Sequence, residues 1–437
     1  MLLIYTDISS PRALYSFNLV ITELLGIECT VIENYSDFKE SDVPKISYSN
    51  ARISNEFYIQ RCSLLIPGPI ISQDVTVSLR DGQSYLFSSG SGSDLSFDIF
   101  AASFYMVSRY EEYLPYKPDG YGRFQSINSL AFHHDFLDRP VVNEWAVEFG
   151  KLLIARFPEL KLKQNKFSAL PTYDIDVAYE FKGRGLLRSL LTNAKDLLSL
   201  KFNRIKERYM VLRKISLDPS DTYDYIVESL AHYQLRAIFF FLVGRYATND
   251  KNIAYTSKDM IELVKRISSV FTIGIHPSFA SPLNGKLIRE EKKRLETISG
   301  TQINCSRQHF LKFILPDTYL HLIAAGIVED YSMAFADAPG FRAGICTPYN
   351  FYDLTNEVKT PLKIFPVSCM EGNFIKYQKL TPEQTIKVIK ILIERVRAVG
   401  GTFISIWHNH TLSNTGIYKG WKWVHDQMIH TLADKTT

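Results

Sequence analysis

The sequence predicts an α/β fold, a parallel (β/α) barrel preceded by a smaller α+β domain, and three observations carry that expectation. From about Lys166 onward, apolar strand candidates alternate with helical patterns some seven to eight times. The strand candidates are near-continuous apolar runs, as strands buried on both faces are. The first 162 residues lack this alternation and mix strand-like, helix-like and turn-rich stretches, which places a boundary between residues 1–162 and 163–437.

In the first segment, LLIYTD reads as a strand, ALYSFNLVITELLG as a helix, and VTVSLRDGQSYLFSSGSGSD as a hairpin running into a Gly/Ser loop. A helical stretch, FDIFAASFYMVSRYEEYLP, leads into the turn-rich YKPDGYGRF. The charges there, Arg109, Glu111, Glu112, Asp119 and Arg123, read as an ion-pair network locking a loop, with a ligand site as the rival reading.

In the second segment the strands are FSALPTYDID, AIFFFLVG, VFTIGIHPS, TQINCSRQHF, GIVEDYSM, GFRAGICT, LKIFPVS and GTFISIWHNH. The helices are DTYDYIVESLAHYQL, SKDMIELVKRI, IREEKKRLETI, PDTYLHLIAA and TPEQTIKVIKILIERVRAV. The last begins with a capping Thr381, Pro382 in the first helical position and Gln384 to complete a capping box. An insertion at 183–215 follows the first strand and is rich in Arg and Lys among interleaved leucines. It reads as a solvated helical hairpin packed on the barrel, and its amphipathic basic character also fits peripheral contact with an anionic membrane surface.

Composition narrows the function classes. Of 437 residues, 46% are apolar and 22% charged, an ordinary globular balance, and a net charge of +4 is too slight to argue for nucleic acid. The 25 Tyr and 28 Phe suit sugar-stacking surfaces and large cores alike. Five scattered cysteines without C-x-x-C spacing point to a reducing compartment, and the absence of a basic n-region or an apolar run of ~18 to 20 residues leads us to expect a cytoplasmic protein.

Candidate chemistry sits where barrels keep it, at the carboxyl ends of the strands. Asp174 and Asp176 end the first strand two residues apart, so alternation sends both off one face, roughly 7 Å apart at their Cα atoms. Two like charges aimed at one spot call for a cation, a shared proton or a base's task. His276 ends VFTIGIH, Arg307 and His309 end TQINCSRQH, Asp330 ends GIVED, and His408 and His410 end FISIWHNH. Carboxylates and imidazoles converging on one rim suit a metal-assisted hydrolase, in which an ion lowers the pKa of a water, a carboxylate takes its proton and an imidazole protonates the leaving group.

The ordered segments TYDID, TIGIHPS, SRQHF, EDYSM and FISIWHNH resemble the five motifs of the polysaccharide deacetylase family (NodB-like, carbohydrate esterase family 4) from about Lys166 to the C-terminus. RQHFLKF and DYSMAFADAPGFRAGICTPYNFYDL further resemble a bacterial branch in which an uncharacterised N-terminal domain precedes the barrel. The resemblance implies a distorted (β/α)7 barrel that removes N- or O-acetyl groups from sugars or surface-glycan precursors with zinc or another divalent ion, metal-bound water being the nucleophile. It implies Asp174 as general base, Asp176 and His276 as metal ligands, Arg307 orienting the base, His408 as general acid and Asp330 setting the state of that histidine.

The chain departs from the family pattern twice. Ile175 separates carboxylates that are usually adjacent, and Ala280 stands where the second motif normally supplies another histidine. His309 and His410 are the candidate replacements for the third ligand. The departure at Ala280 also motivates the alternative, a catalytically impaired barrel acting as a glycan-binding or scaffold protein.

Overall fold

The computed structural model describes residues 1–434, apart from the side chains of Leu186 and Leu187. Strands β1 (Leu2–Thr6), β2 (Cys29–Ile32), β3 (Lys45–Ser49) and β4 (Phe57–Gln60) form an all-parallel sheet in the order β2-β1-β3-β4. β5 (Val77–Arg80) and β6 (Gln83–Leu86) make the expected hairpin, with Val77 opposite Leu86. The following helix, Ile99–Val107, is shorter than its apolar pattern suggests. It stops at Arg109, which takes a left-handed conformation (φ 55) because its guanidinium turns inward to Glu111 and Glu112.

The larger sheet holds β7 (Ser168–Ile175), β8 (Ile238–Phe241), β9 (Thr272–Ile275), β10 (Cys305–Ser306), β11 (Glu329–Asp330), β12 (Tyr349–Asp353), β13 (Val358–Ile364), β14 (Cys369–Met370) and β15 (Thr402–His408). Their order is β12-β13-β11-β10-β9-β8-β7-β15-β14, parallel throughout except for the β12–β13 pair. This is a mixed α/β arrangement around a largely parallel sheet, but among the described residues no ladder closes the ring. The chain itself spans the gap between β13 and β14. There Phe365 N donates to Asp330 O (2.8 Å) and Ser368 N to Ile404 O (2.8 Å), so one segment bonds to β11 and then to β15.

Pro171, within β7, falls beside β15 at a level where β8 has not yet begun, so no ladder with β8 is broken. Gly274 on β9 is required by a close approach: a Cβ there would lie 2.5 Å from the Phe240 ring and 2.9 Å from Cys305 Sγ. The helix Pro382–Ala398 opens with the expected capping box, Thr381 N donating to Gln384 Oε1 at 2.9 Å.

One expectation fails and two elements are new. GFRAGICT is a turn, not a strand: Arg342 is drawn to Glu112, Gly344 has φ 62, and Val142 N donates to Gly344 O at 2.9 Å, binding the segment to the N-terminal portion. β12 and the C-terminal helix Trp421–Ala433 were not anticipated. A single hydrophobic cluster joins residues before and after position 162, among them Phe104, Trp145, Tyr349 and Tyr352. Tyr15 Oη donates to Asn350 O (2.7 Å) and Ser126 Oγ to Asp337 Oδ2 (2.8 Å) across the same contact. No helix among the described residues is long and apolar enough to cross a membrane.

Candidate functional site

Strand register brings the first two groups together. His408 is the partner of Asp174 across β15 and β7, and β8 lies on the other side of β7 with Phe240 opposite Asp174. Asp176 leaves the end of β7 two residues later and, as alternation requires, enters the same cavity of about 160 Å³. His276, His309, His408 and His410 line that cavity as well.

Asp176 is the hub. Its Oδ1 lies 3.1 Å from His276 Nε2, and its Oδ2 lies 3.4 Å from His309 Nε2 and 3.3 Å from His408 Nε2. Each of these imidazoles has its other nitrogen fixed on an oxygen: His276 Nδ1 on Arg307 O (2.5 Å), His309 Nδ1 on Asp250 Oδ1 (2.9 Å) and His408 Nδ1 on Glu371 Oε1 (2.6 Å). Those acceptors assign the ring proton to Nδ1 and leave Nε2 as a lone pair in the neutral tautomer. Three lone pairs then face one carboxylate, an arrangement that is repulsive unless protons or a cation come between them.

The charges respond accordingly. Burial would raise the carboxyl of Asp176, but the charges of His309 and His408 and the close approach of the His276 and His309 rings outweigh it and hold the group well below the usual carboxylate range. Burial opposes the charge on His309, yet Asp176 and Asp250 push it up to about 9. His408 likewise rises well above the ordinary imidazole value, since Glu371 and Asp176 overcome its burial. His410 moves the other way, down to about 4, because it is buried and stands beside His408.

Asp174 has a different environment. Arg307 Nη1 donates to its Oδ1 at 2.8 Å, while Oδ2 points to the cavity, 3.8 Å from His276 Nε2. Arg307 is fully buried, donates through Nε to Tyr331 O (2.9 Å) and lies 4.4 Å over the Phe240 ring, the ring for which Gly274 makes room.

A divalent ion fits the donor set. The ligand atoms of Asp176, His276 and His309 all lie within 4.8 Å of one another, and Asp176 Oδ1 is buried with no hydrogen-bond partner. Two imidazoles and a carboxylate are a common catalytic metal set. Ala280 is exposed on the loop after His276, and of the two candidate replacements it is His309, followed by the left-handed Phe310 and Leu311 (φ 63 and 52), that groups with Asp176 and His276. His410 makes no ion pair with Asp176, and its Nδ1 is unpartnered.

Comparison with known proteins adds the following. Residues 2–158 match a family of unknown function, DUF7033. No curated protein matches by sequence. Among solved structures, the chain is similar to a candidate polysaccharide deacetylase from Mycobacterium smegmatis (14% identity, TM-score 0.42, covering 63% of this chain and 86% of that one). It is also similar to a polysaccharide deacetylase from Bacillus cereus (12%, TM-score 0.30, 62% and 87%) and to a CE4 family pseudoenzyme from Bacillus anthracis (13%, TM-score 0.31, 62% and 62%).

Asp330 does not line the cavity. It is buried one strand away, where it accepts from Ser306 Oγ (2.7 Å), Ser332 N (2.8 Å) and Ser332 Oγ (2.9 Å) and ties β10 to β11. The carboxylate on His408 is instead Glu371, which sequence reading missed although it directly follows the short strand β14. Asp250 was missed with less to betray it, since it stands in a loop well past the end of β8. Tyr121 and Arg123 of the N-terminal segment were also missed as cavity residues. Arg123 pairs with Asp119, as the ion-pair reading expected, and also donates to Phe310 O and Tyr377 Oη, both at 2.8 Å.

Proposed function

We propose that the protein is a metal-dependent hydrolase that removes an acetyl group from an N- or O-acetylated sugar or surface-glycan precursor. The observation that carries this reading is the convergence of three imidazole Nε2 atoms on Asp176 beside a second carboxylate held by Arg307. Asp176, His276 and His309 would hold the ion. When bound it would supply Lewis acidity and lower the pKa of a water.

The remaining roles belong to the chain. Arg307 fixes one oxygen of Asp174 and leaves the other free to take a proton from the attacking water. Glu371 keeps His408 protonated, so that Nε2 can give its proton to the departing amine or alkoxide. Asp330 sets the strand end that carries Arg307. Tyr121, Phe310, Tyr377 and Tyr418 surround the mouth and offer faces on which a sugar ring can stack. A binding-only barrel was suggested by Ala280, and the place of His309 beside Asp176 and His276 supports the hydrolase reading over it. The five free cysteines support a reducing, cytoplasmic setting for the reaction.

The test is metal analysis of the purified protein together with acetate release from N-acetylated sugars. His276→Ala should lose stoichiometric metal. Asp174→Asn should keep the metal and lose on the order of 10²–10⁴-fold in turnover. Undiminished activity in both variants would overturn the reading.

A further inference from the structure

The insertion after β7 folds as two helices, Leu186–Leu198 and Phe202–Leu212. What joins them is polar: Arg208, 3% exposed, reaches back from the second helix to Asp196 and Asn193 on the first. With that clamp inside, the leucines are left outside. Ten of the thirty large apolar side chains exposed among the described residues fall between positions 190 and 217, a density far above that of the rest of the surface. Leu190, Leu191, Leu197 and Leu198 repeat at a spacing of seven and so form one stripe, exposed by 55 to 86%, which continues through Leu200 and Phe202.

Cations lie among them. Lys195, Lys201, Lys206, Arg213 and Lys214 are exposed and, among the described residues, none is paired with a carboxylate. Of the two acidic groups of the insertion, Asp196 is 5% exposed and engaged by Arg208, which leaves Glu207 as the one exposed carboxylate among five exposed cations.

We propose that this hairpin docks the protein on an anionic lipid bilayer, its apolar stripe entering the boundary between headgroups and acyl chains and its unpaired cations meeting the headgroup charge. Charge complementarity selects that occupant. A second copy presenting the same face would bring like charges together, and a neutral apolar groove would leave the cations without partners. Docking also orients the molecule. A cleft of about 510 Å³ runs beside the second helix, lined there by Asn203, Arg204 and Glu207, and shares His410 and Tyr418 with the cavity around Asp176. A glycan carried at the bilayer surface would therefore meet the cleft before the metal ligands.

Co-sedimentation of the full chain with phosphatidylcholine vesicles, with and without phosphatidylglycerol, tests this directly and reads binding independently of any hydrolysis. The wild type should bind the anionic vesicles about tenfold better than the neutral ones, and added salt should weaken that preference. Leu197→Ser/Leu198→Ser/Leu200→Ser, at exposed sites that leave the Arg208 clamp intact, should abolish binding. Replacing the five cations by Gln should remove the anionic preference. The proposal is overturned if the wild type stays in the supernatant, if both variants bind as the wild type does, or if the Leu variant abolishes only self-association.

Discussion

Two buried charge clusters can be set side by side in this protein. In one, Arg109 and Arg342 converge on Glu112, with Arg109 Nε and Arg342 Nε donating to the same carboxylate oxygen at 2.7 and 2.8 Å, and Glu111 completing the set. Burial alone would raise Glu112, but the two guanidinium charges hold its carboxyl below the usual range. In the other, Asp176 is met by imidazole nitrogens whose protons are committed to other oxygens. The first cluster supplies permanent donors for the acceptor at its centre; the second faces its carboxylate with imidazoles that can answer it only by taking up protons or by sharing a cation. Buried charge by itself therefore says little about function, whereas a mismatch of donors and acceptors in a cavity marks a place where something must bind.

Breaking the self-satisfied cluster gives the largest effect on stability. Arg342→Met strips Glu112 of one guanidinium and should cost about 3–5 kcal/mol in a denaturant titration, with metal stoichiometry unchanged. An unaltered midpoint, or a loss of metal, would erase the distinction between the two clusters. A smaller effect comes from the partner that fixes His309. Asp250→Asn frees the ring to turn and should weaken metal affinity by about 10–100-fold in a competition assay, with thermal stability of the metal-free protein nearly unchanged.

A third buried group sharpens the contrast, with an effect that is small within any one pH unit. His425 sits between Tyr173 Oη (2.8 Å from Nε2) and Tyr225 Oη (2.7 Å from Nδ1), and burial, aided by the charge of Lys422, pushes it down to about 3. Its folded value lies below the ordinary ~6.5, so the unfolded chain takes up the proton first. The contribution of His425 is thus complete above about pH 6.5 and is lost, by up to about 1.4 kcal/mol per pH unit, as pH falls toward about 3. Urea midpoints followed across that window should fall more steeply for the wild type than for His425→Gln. Parallel lines would contradict this account.

Much of the architecture was legible because it rests on local periodicity. FSALPTYDID and GTFISIWHNH announce central strands, Thr381-Pro382 announces a helix start, and six of the strand-end side chains, Asp174, Asp176, His276, His309, His408 and His410, do gather around one cavity. What escaped depends on distant partners. Nothing within GFRAGICT reveals that Arg342 will be captured by a glutamate 230 positions earlier. The break at Arg109 has the same cause, since a continuous apolar pattern is overridden by a buried guanidinium. Glu371 carried a signal, a carboxylate just past a strand, but the strand is only two residues long. Asp250 carried none, for a loop residue is placed by the turns around it and not by any repeat.

The Arg123 side chain gives the two halves of the chain joint custody of the doorway. Its guanidinium ties Phe310, 187 positions downstream, to Tyr377, 254 positions downstream, so the entrance is framed by three stretches that are remote in the polypeptide. Exchanging the leading segment for an unrelated one would recut that opening while every metal-ligating side chain stayed in place. Through this one residue, a region with no ligand of its own decides what is admitted.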